Sequence, residues 1–183
     1  MIKKIFIKIF ILISIAMNSQ SIDLVNPKDN IGIENWIIVN DDVMGGISKS
    51  KLYIDKYNNL VFNGYLSLEN NGGFASCRLN LNEVNLAGIK SFSIKYRGDG
   101  NIYKLRLQQS NRRASYSIDF KSKKDQWQEV NLSIKDFTAT WRGFTYSDYP
   151  EIELDKINSL GIQISNKQEG NFKLEIKNIK VNY

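Results

Sequence analysis

IKSFSIKYRGDGNIYKLRLQ, residues 89–108, carries the reading on which the fold class turns. In its first half Phe92, Ile94 and Tyr96 alternate with polar residues, and in its second half Tyr103, Leu105 and Leu107 do the same. An extended chain sends successive side chains to opposite faces, so each run reads as a strand with one buried face. Between them Gly98, Asp99, Gly100 and Asn101 supply the residue types that turn a chain back on itself.

The same two-residue period continues outward. YSIDF places Tyr116, Ile118 and Phe120 on one face, and VNLSI does so with Val130, Leu132 and Ile134. LGIQI gives Leu160, Ile162 and Ile164; FKLEI gives Phe172, Leu174 and Ile176; the closing IKVNY gives Ile179, Val181 and Tyr183. Turn clusters stand at Asn58-Asn59, at 70–73 (NNGG), at Ser110-Asn111 and at 169–171 (EGN). Residues 151–158 are the best short helix candidate, and no longer one is expected. Many short strands with only two prolines predict an all-β fold, an antiparallel β-sandwich of the jelly-roll kind, as one domain over residues 22–183. The irregular stretch 135–155, rich in aromatics, reads as a long loop on that scaffold, where binding commonly sits.

MIKKIFIKIFILISIAMNSQS, residues 1–21, has lysines, then a short apolar run, then small residues, the order of an export signal. The expected location is therefore periplasmic or extracellular in a bacterium, with membrane attachment only if this segment stays uncleaved. Without it the formal charge of +6 loses three lysines and no acids. The remaining mild excess gives no ground for a nucleic-acid partner. There is no histidine, which removes the Ser–His–Asp and Cys–His nucleophiles and every His-containing zinc site. The single cysteine, Cys77, leaves no internal disulfide and reads as a core filler.

Three constellations remain. NDDVMGGIS, residues 40–48, lacks the Lys-Ser/Thr and following helix of a phosphate loop, and residues 47–54 read as a strand instead. Asp41 and Asp42 are hard oxygen ligands that would suit calcium. The tight-bend reading is preferred: an Asp caps the turn, the glycines supply positive φ, and no metal is expected. Adjacent carboxylates on an extended chain point apart, poor geometry for an acid pair, although a distant partner such as Glu69 is an alternative. In LSLENNGGFASCR, residues 66–78, Ala75, Cys77, Leu79 and Leu81 share one face. Phe74, Ser76 and Arg78 share the other, either as a binding surface or as an arginine lying over an aromatic. Trp36 and Trp127 open strands and are expected at the core or its rim. Trp141, Phe144, Tyr146 and Tyr149, beside Arg142, would form a platform for sugar rings or a protein partner, or else pin down their own loop.

Trp36 with DDVMGGIS (41–48), LVFNGYLSLENNGGFASCR (60–78), RGDG with Tyr103, Phe120 with Trp127, Phe137 with Arg142-Gly143, LGIQI and FKLEIKNI recur together in one known family. From about Trp36 to its end the chain resembles the complex I intermediate-associated proteins, mitochondrial assembly factors with bacterial homologues. It differs from the mitochondrial members in carrying an export-type signal instead of an amphipathic presequence. The resemblance implies a galactose-binding-like jelly roll in a superfamily that includes carbohydrate-binding modules. It also implies a non-catalytic role in binding proteins during assembly of the respiratory NADH:ubiquinone oxidoreductase; no cofactor is expected. No active site comes with it. Asp41, Asp42, Met44, Phe74, Arg78, Trp141, Arg142, Tyr146 and Tyr149 are taken as the candidate binding surface, with a protein partner expected and carbohydrate as the alternative.

Overall fold

The computed structural model describes residues 20–81 and 84–183. The expected export signal lies outside them up to residue 19. In chain order the strands are β1 (Ser21–Val25), β2 (Trp36–Asn40), β3 (Lys49–Ile54), β4 (Leu60–Leu66), β5 (Ala75–Asn80), β6 (Ser91–Gly98) and β7 (Ile102–Gln109). Then follow β8 (Ser115–Lys121), β9 (Trp127–Ser133), β10 (Thr138–Trp141), β11 (Phe144–Tyr146), β12 (Ile157–Ile164) and β13 (Gly170–Asn182). Every alternating run named above forms a strand. The pairs are antiparallel and make two sheets: β3-β4-β13-β6-β9 with β1 also on β13, and β11-β10-β8-β7-β12-β5-β2. This is the jelly-roll sandwich that the alternation predicts.

The apolar face of each run meets its counterpart between the sheets. Tyr96 of β6 and Phe120 of β8 pack edge to face across the gap with centroids 5.0 Å apart. Cys77, Leu105, Leu160 and Ile162 are fully buried in the second sheet, opposite Phe62, Ile94, Leu174 and Ile176 of the first. Burial pushes the Cys77 thiol far up, so it has no thiolate character and is a core filler as expected.

Several local expectations are corrected. FKLEI and IKVNY belong to one 13-residue strand, β13. A β-bulge between Ile176 and Asn178 shifts the phase, so Ile176 and Ile179 both face the core. Residues 151–158 hold one 3₁₀ turn, Leu154–Lys156, before β12 begins at Ile157, because the apolar spacing there serves a strand. The stretch 135–155 is not one loop. It contains the hairpin β10–β11, turned by Arg142 (φ 50°) and Gly143 (φ 83°), the two positive-φ positions of a type I′ turn. Trp127 opens β9 but is 41% exposed, its ring covered by the Arg97 guanidinium at 5.1 Å from the centroid. β1, which no alternation announced, opens at Ser21 and pairs with the far end of β13.

Candidate functional site

The acid-and-glycine stretch resolves into one knot. Asp41–Met44 is a 3₁₀ turn, not extended chain, and β3 begins only at Lys49. Asp41 is fully buried. Its Oδ1 accepts the Ser48 N–H at 2.9 Å. Its Oδ2 accepts the Ser48 hydroxyl and the backbone N–H groups of Gly73 (2.7 Å) and Phe74 (3.3 Å). One carboxylate thus ties residues 41–48 to residues 72–74. Burial works to raise its pKa, but the Ser48 hydroxyl and the Gly73, Ser48 and Phe74 N–H groups outweigh it and hold the carboxyl below the usual range.

The two glycine pairs divide the labour of building this knot. Gly45 (φ 91°) and Gly73 (φ 129°) turn the chain, while Gly46 and Gly72 leave room for the acid. A β-carbon on Gly46 would lie 2.4 Å from Asp41 Cγ, and one on Gly72 would lie 2.8 Å from Asp41 Oδ2. N–H and O–H donors converge on both oxygens, which is the arrangement for a trapped carboxylate and the wrong one for a cation. Asp41 therefore does not belong to a surface, and an Asp41–Glu69 acid pair has no free Asp41 oxygen to work with. Asp42 is exposed on the same turn, with Val43 (70%) and Met44 (56%) beside it. Among the described residues no group of three or more acids and cysteines is gathered as a metal site.

Two surfaces flank this knot. Along β2, an edge strand of the second sheet, Ile37 and Ile38 are exposed. Tyr53 and Ile54 on β3, an edge of the first sheet, are exposed as well, and with Trp36, Leu52 and Leu60 these residues line an open groove. Val43, Met44 and Ile47 are exposed on the turn that joins β2 to β3. Trp36 itself is half-buried, its indole N–H donating to Gly32 O at 2.8 Å.

The second surface is the outer face of the second sheet. In one cross-strand row Ile37, Arg78, Gly161, Arg106, Ser117 and Thr138 stand side by side. Gly161 has no side chain between the two arginines, and Ser76, Gln108, Ser115 and Ser159 complete a shallow cleft around them. Arg106 donates to Gln163 Oε1 at 2.5 Å and to the Ser115 hydroxyl. Burial, and after it the charge of Arg78, pushes Arg106 down to about 10. Burial also lowers Arg78. Arg78 lies on the polar face that alternation assigned to it, but Phe74 sits before β5, half-buried in the Asp41 knot.

The aromatic cluster lies at the opposite edge of that sheet, on β10 and β11. Trp141 is half-buried, with Arg142 at 4.9 Å and Arg113 at 5.4 Å from its ring centroid. The Tyr149 hydroxyl accepts the Ala114 N–H at 3.2 Å, and its ring packs against Tyr116 and Tyr146. Phe144 and Tyr146 remain exposed. Trp141 and Tyr149 thus hold their own segment down, and only the hairpin tip offers a free aromatic face. The nine candidate residues do not form one surface, because the sheet order sends one group to the β2 side, with Arg78 one strand in on β5, and the other to the β10–β11 edge. Sequence reasoning missed Arg106, Gln163 and Ser115. The alternation of YKLRLQ does turn Arg106 away from the core, but its place next to Arg78 depends on strand order.

Two antiparallel sheets packed on one apolar core define a domain of the jelly-roll β-sandwich class. The chain belongs to the complex I intermediate-associated protein 30 family, whose model matches residues 23–176. Among solved structures it is similar to the family 11 carbohydrate-binding module of a cellulosomal cellulase from Clostridium thermocellum, with TM-score 0.64 and 15% identity over 91% of this chain and 95% of that one. A family 29 carbohydrate-binding module matches with TM-score 0.56 and 8% identity over 90% and 85% of the two chains. An agarase matches over 89% of this chain but 24% of its own length, at 9% identity and TM-score 0.61. These likenesses establish the sandwich fold.

Proposed function

We propose that this chain is an exported, non-catalytic protein-binding module with an assembly or chaperone-like role. The observation that carries this reading is the open apolar groove where Ile37, Ile38, Tyr53 and Ile54 are exposed, with Val43 and Met44 exposed on the turn that joins β2 to β3. It runs beside β2, whose outer edge leaves backbone N–H and C=O groups free to pair with another strand. The favoured partner is a protein segment that adds to this edge in extended form and seats apolar side chains in the adjoining groove. The family's name, which speaks of association with complex I intermediates, supports a protein partner. The absence of histidine and the full engagement of Asp41 support a module that breaks no bonds.

A photo-crosslinker at Val43 is expected to capture a specific envelope or membrane protein. Ile37→Glu with Met44→Glu is expected to abolish the capture without lowering the melting temperature. Recovery of no reproducible partner, or equal recovery with the variant, would refute it.

A second reading, a carbohydrate-binding module, is supported by the family 11 and family 29 neighbours and by a polar sheet face rich in hydroxyl and amide groups. The exposed Phe144 and Tyr146 supply an additional stacking surface. Calorimetry against a panel of polysaccharides tests it, and silence across the panel removes it.

A further inference from the structure

On the outer face of the second sheet, β5, β12, β7 and β8 present Arg78, Lys104, Arg106 and Lys121 against one acid, Asp119. Asp119 is already engaged by Lys104 and by the Asn166 amide at 3.2 Å. The polar partners of Arg106 are neutral, a glutamine oxygen and a serine hydroxyl. Among the described residues no hydrogen bond or ion pair is made by the Arg78 guanidinium. Two neighbouring cations in a partly desolvated cleft, with no carboxylate to compensate them, cost stability. Such an arrangement is complementary to an oxyanion, which a guanidinium grips in a two-point fork.

We propose that this cleft binds an acidic saccharide, with its carboxylate or sulfate group held between Arg78 and Arg106 above Gly161. The rest of the cleft selects a sugar over an acidic peptide. Ser76, Gln108, Ser115, Ser159 and Gln163 surround the arginines with groups that exchange hydrogen bonds with hydroxyls. Apart from Ile102 at the far end of β7, the strands around the arginines turn polar side chains outward on that face, and Ile37 of β2 stands at the end of their row. A side chain on Gly161 would fill the floor, since its β-carbon would stand 3.5 Å from Arg78 Cγ and 3.8 Å from Arg106 Cβ. The inference rests on the saccharide reading and deepens it; the apolar groove at β2 is a separate surface.

The test is calorimetry of the protein with oligogalacturonate, a sulfated galactan oligomer, a neutral galactan oligomer of equal length and an oligoglutamate peptide. An acidic oligomer is expected to bind and to weaken with added salt, the carboxylate and sulfate arms identifying which oxyanion is preferred. Arg78→Gln and Arg106→Gln are each expected to weaken it about tenfold or more, the scale of one charge-assisted hydrogen bond. Arg78→Gln is also expected to keep or raise the melting temperature, because it removes an uncompensated charge, whereas a purely structural arginine would lower it. Binding unchanged in both variants, or oligoglutamate bound as tightly, would overturn the proposal. Equal binding of the neutral oligomer would overturn the acidic class and leave the saccharide reading standing, while no binding by any sugar would remove both.

Discussion

Asp41 and Asp42 are neighbours in sequence and opposites in environment. Asp42 faces water, while Asp41 is the buried acceptor of four hydrogen bonds that join two turns. Replacing it with Asn aims amide hydrogens at converging donors, and a loss of about 3 kcal/mol is expected, measured by urea unfolding. Because the folded state holds the carboxyl below its ordinary pKa, it binds fewer protons than the unfolded chain. That contribution is complete above about pH 4 and is lost as pH falls through the folded value. Asp41→Asn is therefore expected to flatten, though not abolish, the acid limb of stability, since Asp55 and Glu175 are held low as well. Gly46→Ala and Gly72→Ala are expected to cost about 1–3 kcal/mol each, the first through crowding of the Asp41 carboxylate and the second through crowding of the Ser67 and Glu69 carbonyls as well as that carboxylate. The sequence announced that a bend lay here. It did not say that both glycine pairs serve one acid, because residues 41 and 73 meet only through folding.

β13 demonstrates what an element's pattern encodes. Its apolar positions keep a two-residue period through Ile176 and resume it, displaced by one, at Ile179. Read locally this is two runs; paired against β6 it is one strand with a residue to spare. Deleting Lys177 removes that spare residue and preserves both buried sets, so a cooperative thermal transition is expected to survive. Deleting Glu175 turns Ile176 outward and is expected to abolish the transition. The β10–β11 hairpin failed to appear in the sequence for another reason. A type I′ turn usually advertises itself as Asn-Gly, and Arg at a positive φ gives no such sign.

The whole molecule is held by non-local pairing, with Ser21 beside Asn182 and β2 beside β5. Such topologies close long loops before contacts reward them, so stopped-flow refolding is expected on a millisecond-to-second scale as a single phase; microsecond folding would contradict it. From sequence alone came the all-strand class, the core faces, the buried cysteine, the family resemblance and the loss of histidine chemistry. Each of these depends on period, composition or motif, properties carried by neighbours along the chain. Tertiary structure alone decided that Asp41 is internal, that the candidate residues part to opposite sheet edges, and that Arg78 and Arg106 share a row across Gly161. Alternation determines which face a side chain takes, but strand order and register determine its neighbours, and these emerge only when distant segments pair.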